Sequence, residues 1–197
     1  METFLFPSFY LGPTSYYSAM LKSPKVTIEQ YEHYVKQTYR SRCRIATANK
    51  IMDLTIPTER NENKIAMKDV KIAYQQDWQR QHWNAIVSAY NSSPYLEYFA
   101  DELVPFYEKK ETFLIDFNAK LHEKVTKLMQ LEIKQTLNLA FELEINGVDY
   151  REAFSPKTEP NVCKPYHQVF ENKFGFQSDL SILDLLLNEG PEAYKYL

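Results

Sequence analysis

Glycine is scarce in this 197-residue chain, and the four glycines stand apart at positions 12, 147, 175 and 190. Phosphate-binding loops and dinucleotide-binding turns need clustered glycines, because the backbone must approach the phosphates closely. The sequence therefore contains neither fingerprint. It also lacks a serine in a Gly-x-Ser-x-Gly setting, so it does not predict a hydrolase triad built on that motif.

Metal and disulfide signatures are missing as well. The two cysteines, Cys43 and Cys163, lie far apart and have no metal-ligand spacing, and two are too few for a disulfide framework. His122 lacks the second histidine, four residues on, that a zincin helix requires. We therefore expect no metal and no other cofactor. The cysteine usage favours a reducing compartment.

Long apolar runs and an excess of positive charge are likewise absent. No window reaches the roughly 18 apolar residues that a membrane helix needs, and the first residues form no basic targeting region. The net charge is −3, which argues against a protein that binds duplex nucleic acid. These features predict a cytoplasmic protein whose partners include neither a membrane nor a nucleic acid. The oligomeric state does not follow from them.

The composition is that of a globular protein, with 44% hydrophobic and 25% charged residues. The length predicts one domain over residues 1–197. Apolar or alternating runs predict strands at 4–6, 26–28, 42–47, 51–56, 70–72 and 134–145. Apolar stripes at helical spacing predict helices at 16–22, 78–90, 94–107, 113–128 and 181–187.

Local signals add detail to these elements. Asn49 predicts the turn of a hairpin, and Ser93 predicts an N-cap followed by proline at the first helical position. Pro105 predicts a kink or an early end to its helix, and Ser181 with Asp184 predicts a capping pair. Together the elements predict a single α/β or α+β domain with a small mixed sheet and several helices.

Residues 33–52 contain no acidic side chain, although the chain is acidic overall. In an extended backbone Arg40, Arg42 and Arg44 would point to one side and, with Lys36, form a basic row. Guanidinium groups bind phosphate and carboxylate with two hydrogen bonds, so the row predicts a site for an anionic ligand. The alternative is a strand face whose arginines pair with nearby acids, such as Glu29, Glu32 or Asp53.

Aromatic and titratable residues could complete such a site. His82 shares a helix face with Trp78, and its ring titrates near neutrality, so His82 or Glu29 is a candidate acid or base. Tyr10, Trp78 or Trp83 could flank a sugar or base ring, and Asn118 could bind sugar hydroxyls. Core packing, helix capping and buried hydrogen bonds are the alternative roles of these side chains.

Several stretches, taken in order, resemble the WbqC-like protein family. They are PSFYLGP at 7–13, KQTYRSR at 36–42, LIDFN at 114–118 and SILDLLLNEGP at 181–191, together with Tyr16-Tyr17, Trp78, His82-Trp83, Ala89-Tyr90, Ser93-Pro94-Tyr95 and Tyr98. Their shared order covers nearly the whole chain. The chain departs from longer family members between Leu131 and Cys163, where it lacks a segment.

The resemblance implies a transferase in bacterial surface-polysaccharide (O-antigen) biosynthesis, with aminoacyl (glycine) transfer to an amino sugar as one such reaction. The substrate would be a phosphorylated or nucleotide-activated small molecule, with phosphate held by the basic row. The second interpretation is a non-catalytic binding or assembly protein that uses the same basic and aromatic cleft. Turnover of a bound ligand distinguishes the two.

Overall fold

Three long helices occupy the middle of the chain, and short strands precede and follow them. A computed structural model describes residues 2–60 and 64–197. Six strands and six helices are assigned among the described residues. The strands are β1 (Thr3–Pro7), β2 (Val26–Glu29), β3 (Arg42–Thr47), β4 (Lys50–Thr55), β5 (Gln135–Leu137) and β6 (Gly147–Asp149). The helices are α1 (Thr14–Lys22), α2 (Trp78–Tyr90), α3 (Leu96–Glu108), α4 (Leu114–Leu128), α5 (Glu171–Phe174) and α6 (Ile182–Glu189). Two 3-10 turns cover Met67–Asp69 and Gly190–Tyr196.

The larger sheet is parallel, with strand order β5-β2-β1-β6. In β1, Leu5 lies opposite Thr27 of β2 on one side and opposite Asp149 of β6 on the other. The second sheet is the antiparallel hairpin of β3 and β4, in which Arg44 lies opposite Asp53. The predicted α/β class is confirmed, and the parallel and antiparallel strands form two separate sheets.

The core lies between the strands and the long helices. Trp78, Ile86 and Tyr90 of α2 are buried, as the spacing of four predicts, and Phe117 of α4 is fully enclosed. Every residue of 182–188 in α6 is buried as well. Because α6 contacts α1, α4 and β3, the C-terminal part of the chain packs into the same core as the N-terminal part. The described residues form a single domain.

Four local predictions need correction. Helix α3 begins at Leu96, and the Ser93 hydroxyl donates to the Tyr90 carbonyl instead of capping α3. In the hairpin turn it is Lys50, at φ 88°, and not the predicted turn residue Asn49, that adopts a positive backbone angle. Residues 70–72 form isolated bridges only, and the strand predicted at 134–145 covers only β5. Pro105 lies inside α3, whose end at Glu108 is one residue beyond the predicted end at 107.

The start of α6 shows half of the predicted capping pair. The Ser181 hydroxyl accepts a hydrogen bond from the Leu183 N–H, as expected. Asp184 instead points into the core, where its carboxylate accepts hydrogen bonds from the Tyr90 and Tyr166 hydroxyls at 2.7 and 2.6 Å. Burial raises the pKa of Asp184, although these hydrogen bonds oppose the increase. This contact joins α6 to α2.

None of the helices in the described part of the chain combines the length and the apolar character needed to cross a membrane.

Candidate functional site

Buried charged side chains lie near the carboxyl ends of the parallel strands. Glu29 is the last residue of β2 and Asp149 is the last residue of β6, on either side of the central strand β1. Ligands of open parallel sheets bind at this edge, where neighbouring connections diverge. The edge therefore places carboxylates from two strands close together, and we describe it as the candidate site.

Glu29 is completely buried and fully hydrogen-bonded. Its Oε1 accepts from the Tyr31 backbone N–H at 2.7 Å and from the Asn138 side-chain amide at 2.7 Å. Its Oε2 lies 3.5 Å from a guanidinium nitrogen of Arg151. Burying an unpaired carboxylate costs free energy, and the hydrogen bonds from these three donors compensate for that cost.

Arg40 and Glu32 form a buried bidentate ion pair near Glu29. Arg40 Nε donates to one carboxylate oxygen of Glu32 at 2.7 Å, and Arg40 Nη2 donates to the other at 2.6 Å. Their side chains are 2% and 8% exposed. Burial raises the pKa of the Glu32 carboxyl, and the hydrogen bonds from Arg40 limit the increase. A carboxylate in this setting is more basic than one on the surface.

Arg151 connects Glu29 and the Arg40–Glu32 pair to β6. It donates to both oxygens of Asp149, with Nε at 3.0 and 2.9 Å, and to the Glu142 carbonyl at 2.9 Å. Its own carbonyl accepts from Arg40 at 3.2 Å. Sequence reasoning missed Arg151. It named Glu32 as one of the acids that could pair with the arginines of the basic row, and Glu32 does pair with Arg40. The available signal was the position of Arg151 two residues after Asp149, at the end of a short strand.

An open cleft of about 490 Å³ adjoins this network. Its walls combine carboxylates, one guanidinium, one imidazole and three apolar side chains. They are Glu32, His33, Val35, Phe141, Leu143, Asp149, Arg151 and Glu152. The three carboxylates outnumber the two arginines that pair with them, Arg40 and Arg151. The cleft therefore suits a ligand with an amine or hydroxyl groups and an apolar portion better than it suits a bare anion.

The basic row of the sequence does not form a single surface. Arg40 lies in the turn before β3 and points inward to Glu32, so the prediction that it shares a face with Arg42 and Arg44 is wrong. Arg42 and Arg44 do share a face, and each contacts Asp53 across the hairpin at 3.0 Å. Lys36 is exposed and forms no ion pair with another described residue.

His82 belongs to a buried aromatic cluster. Its Nδ1 lies 3.0 Å from the Tyr10 hydroxyl, which also lies 3.1 Å from the Tyr107 hydroxyl. Burial lowers the pKa of His82 to about 4, so the ring is neutral near pH 7. Trp78 packs edge-on against His82, and Trp83 stacks on Tyr107. None of these five side chains lines the cleft.

Asn118 positions the turn that carries Arg40. Its amide nitrogen donates to the Arg40 carbonyl at 2.9 Å and to Ser8 Oγ at 3.3 Å. Its side-chain oxygen and Nε2 of His122 are buried and lack hydrogen-bond partners among the described residues. Both residues line a cavity of about 10 Å³, the space of one water molecule. Asn118 therefore stabilises the backbone of the turn that carries Arg40.

The described residues contain no group of three or more His, Cys, Asp and Glu side chains arranged to hold a metal ion. Both cysteines are free thiols, and burial raises the pKa of each. Neither is activated as a nucleophile, because a raised pKa lowers the fraction of thiolate.

Fold and site together define a single-domain α/β protein with a polar cleft at the carboxyl edge of its parallel sheet. The chain belongs to the WbqC-like protein family, whose profile matches residues 8–155. It is similar to the uncharacterized protein Rv1507c of Mycobacterium tuberculosis, with 24% identity over 198 residues, covering 83% of each chain. No solved structure matches it significantly. The matched range includes Glu29, Glu32, Arg40 and Arg151.

Proposed function

We propose that this protein is a transferase of bacterial surface-polysaccharide (O-antigen) biosynthesis that modifies an amine- or hydroxyl-bearing small molecule in the cleft. The observation that carries the proposal is Glu32, a buried carboxylate of raised pKa in the wall of an open cleft. Carboxylates with these properties are typical general bases. Membership of the WbqC-like family supports the assignment.

In this reaction Glu32 takes the proton of the attacking amine or hydroxyl while the donor's leaving group departs. Arg151 and Asp149 orient the acceptor, and the apolar side chains Phe141 and Val35 cover its carbon skeleton. An amino sugar receiving an aminoacyl group such as glycine fits the excess of carboxylates, since its amine is attracted as a cation before it reacts.

The donor is a phosphorylated or nucleotide-activated small molecule. Lys36 is the basic residue of the predicted row that remains exposed and unpaired within the described residues, so it is the candidate for the donor phosphate. Arg42 and Arg44 would have to exchange their contact with Asp53 for the phosphate. We place the protein in the cytoplasm, which agrees with its two free cysteines.

The alternative is a non-catalytic binding protein that uses the same cleft. The observation that favours it is the complete pairing of the buried acids: Glu29 has three donors and Glu32 has two. Such networks also serve to hold loops in place, without any role in proton transfer.

A ligand screen followed by a turnover assay tests the proposal. Thermal-shift measurements with amino sugars, nucleotide sugars and aminoacyl donors identify ligands, and mass spectrometry then detects transfer between pairs of them. Glu32→Gln should lower turnover by roughly 10²–10⁴-fold, the usual contribution of a general base, while acceptor binding persists. Glu102→Gln, on the surface of α3, is the matched control and should leave turnover unchanged.

Glu32→Gln keeps one acceptor for Arg40 but removes its counter-charge, so the variant should be less stable than the wild type. Turnover is therefore compared under conditions in which circular dichroism shows that the variant is folded. Wild-type turnover in a folded Glu32→Gln protein contradicts the role of Glu32. Tight binding without turnover for every donor and acceptor pair supports the binding protein instead.

A further inference from the structure

Two side chains of α4 each carry a buried polar atom that the protein itself does not satisfy. Oδ1 of Asn118 and Nε2 of His122 form no hydrogen bond with the described residues. Asn118 is 2% exposed and His122 is 6% exposed, so bulk solvent does not reach either atom. Burying an unpaired polar atom costs free energy, and in native proteins such atoms usually have a protein partner or an ordered water.

Both residues line the same small cavity. Residues four apart on a helix lie on one side of it, so Asn118 and His122 face the same way. The cavity measures about 10 Å³, and Ser8 and Gln135 also line it. A buried water molecule needs about this much space and roughly two to four polar partners. These four side chains come from α4, from β5 and from the residue that follows β1.

The hydrogen-bonding chemistry of the lining matches a water molecule. An amide oxygen can only accept, so Asn118 Oδ1 requires a donor. The Ser8 hydroxyl accepts from Asn118 Nδ2 at 3.3 Å and donates to no described residue, so its own proton is available. Burial lowers the pKa of His122 to about 4, so near pH 7 the ring is neutral and one of its nitrogens accepts.

The other end of the Asn118 amide holds the turn that carries Arg40. Asn118 Nδ2 donates to the Arg40 carbonyl at 2.9 Å, and no other described residue donates to that carbonyl. Arg40 in turn forms the bidentate ion pair with Glu32 in the wall of the cleft. A donor in the cavity stabilises this orientation of the amide. The reversed amide would place Oδ1 against the Arg40 carbonyl oxygen.

We propose that one water molecule binds in this cavity between Asn118 Oδ1 and His122 Nε2, with Ser8 as its third partner, and that His122 is thereby a positioning residue for the Arg40–Glu32 ion pair. No residue of α4 lines the cleft, so His122 acts on the pair through the water, Asn118 and the turn. The inference concerns the geometry of the ion pair and does not depend on the proposed role of Glu32 as a base.

A crystal structure of the wild-type protein at high resolution tests the water directly. One ordered water should lie about 2.7–3.2 Å from both Asn118 Oδ1 and His122 Nε2. A well-ordered cavity without solvent density overturns the proposal, and so does a side chain that fills it.

Hydrogen exchange tests the positioning role. The Ser41 N–H donates to the Thr38 carbonyl across the turn that carries Arg40, so its exchange rate reports opening of this turn. His122→Leu should raise that rate by about tenfold, because a supporting hydrogen bond is lost. His122→Gln, whose amide can bind the water, should remain near the wild-type rate. Both substitutions remove the ring that stacks on Tyr17, so the polar group distinguishes them.

Thr126→Val is the matched control for the exchange measurement. Thr126 is buried one turn further along α4, donates to the His122 carbonyl and does not line the cavity, so its replacement should leave Ser41 exchange unchanged. Wild-type exchange in His122→Leu overturns the positioning role, as does an equal increase in His122→Gln or in Thr126→Val. If His122→Leu does not fold, the wild-type crystal structure still decides whether the water binds. Neither measurement uses a ligand, so a negative turnover assay does not bear on the result.

Discussion

At the scale of single residues, the three arginines of the basic segment have different structural roles although they are the same residue type. Arg40, Arg42 and Arg44 look alike in the sequence, spaced two apart in an acid-free stretch. The structure makes Arg40 an internal ion-pair partner of Glu32, while the other two share Asp53 on the hairpin. The acids that neutralise them, Glu32 and Asp53, border the stretch and were the alternative partners named from the sequence, but only the fold decides which arginine each acid binds.

Arg40→Ala should destabilise the fold strongly, as expected of the ion-pair alternative and not of a ligand-binding residue. Removing one partner of a buried ion pair leaves the other charge unpaired, at a typical cost of about 3–5 kcal/mol. Chemical denaturation of wild type and variant measures the free energy of unfolding. Arg80→Ala removes the exposed pair with Asp77 and should change that free energy by less than about 1 kcal/mol. Equal effects of the two substitutions would contradict the buried role of Arg40.

At the scale of elements, the long helices followed from the sequence and several strands did not. The three central helices were predicted to within two residues at each end, because thirteen to fifteen residues of helical spacing give a strong signal. Residues 134–145 alternate like a strand, yet only β5 forms, since the chain has to reach the other side of the sheet. Whether an alternating segment becomes a strand depends on a partner that the segment does not contain.

The prediction at the scale of elements concerns Gly190 at the end of α6. It adopts φ 59° and ψ −134°, and a Cβ atom there would lie 2.4 Å from the Tyr95 ring. Gly190→Ala should therefore lower the free energy of unfolding by both backbone strain and a steric clash, with the strain alone costing about 1–3 kcal/mol. Gly175→Ala is the matched control, because Gly175 also has a positive φ, of 71°, but has open space around it. The proposed effect of the Tyr95 contact is wrong if both variants lose the same stability in thermal or chemical unfolding.

At the scale of the whole molecule, two buried histidines make stability depend on pH. Burial lowers the pKa of His82 and of His122 from the ordinary value of 6.5 to about 4. Between these values the unfolded chain binds protons that the folded protein does not. Stability is therefore fully present above about pH 6.5 and declines as the pH falls towards 4.

Each histidine contributes a slope of up to about 1.4 kcal/mol per pH unit inside that window. Free energies of unfolding measured across the window check this, and His82→Gln or His122→Gln should flatten the decline. His82→Gln also disturbs the contact with Tyr10, so its absolute stability falls while its slope decreases. His167→Gln, at an exposed histidine, should retain the wild-type slope. An unchanged slope in both core variants would contradict the buried neutral state.

The sequence by itself determined the α/β class, the long helices, the hairpin and the family, because these depend on periodicity and on motifs within short stretches. Tertiary structure alone decided the site. The parallel sheet brings Glu29, Glu32, Arg40 and Arg151 to one edge from positions up to 122 residues apart. The tertiary structure also buries His82 in the core, and His82 does not line the cleft. Burial and charge pairing fix the pKa and the role of an ionisable group, and both arise from neighbours that only the folded chain supplies.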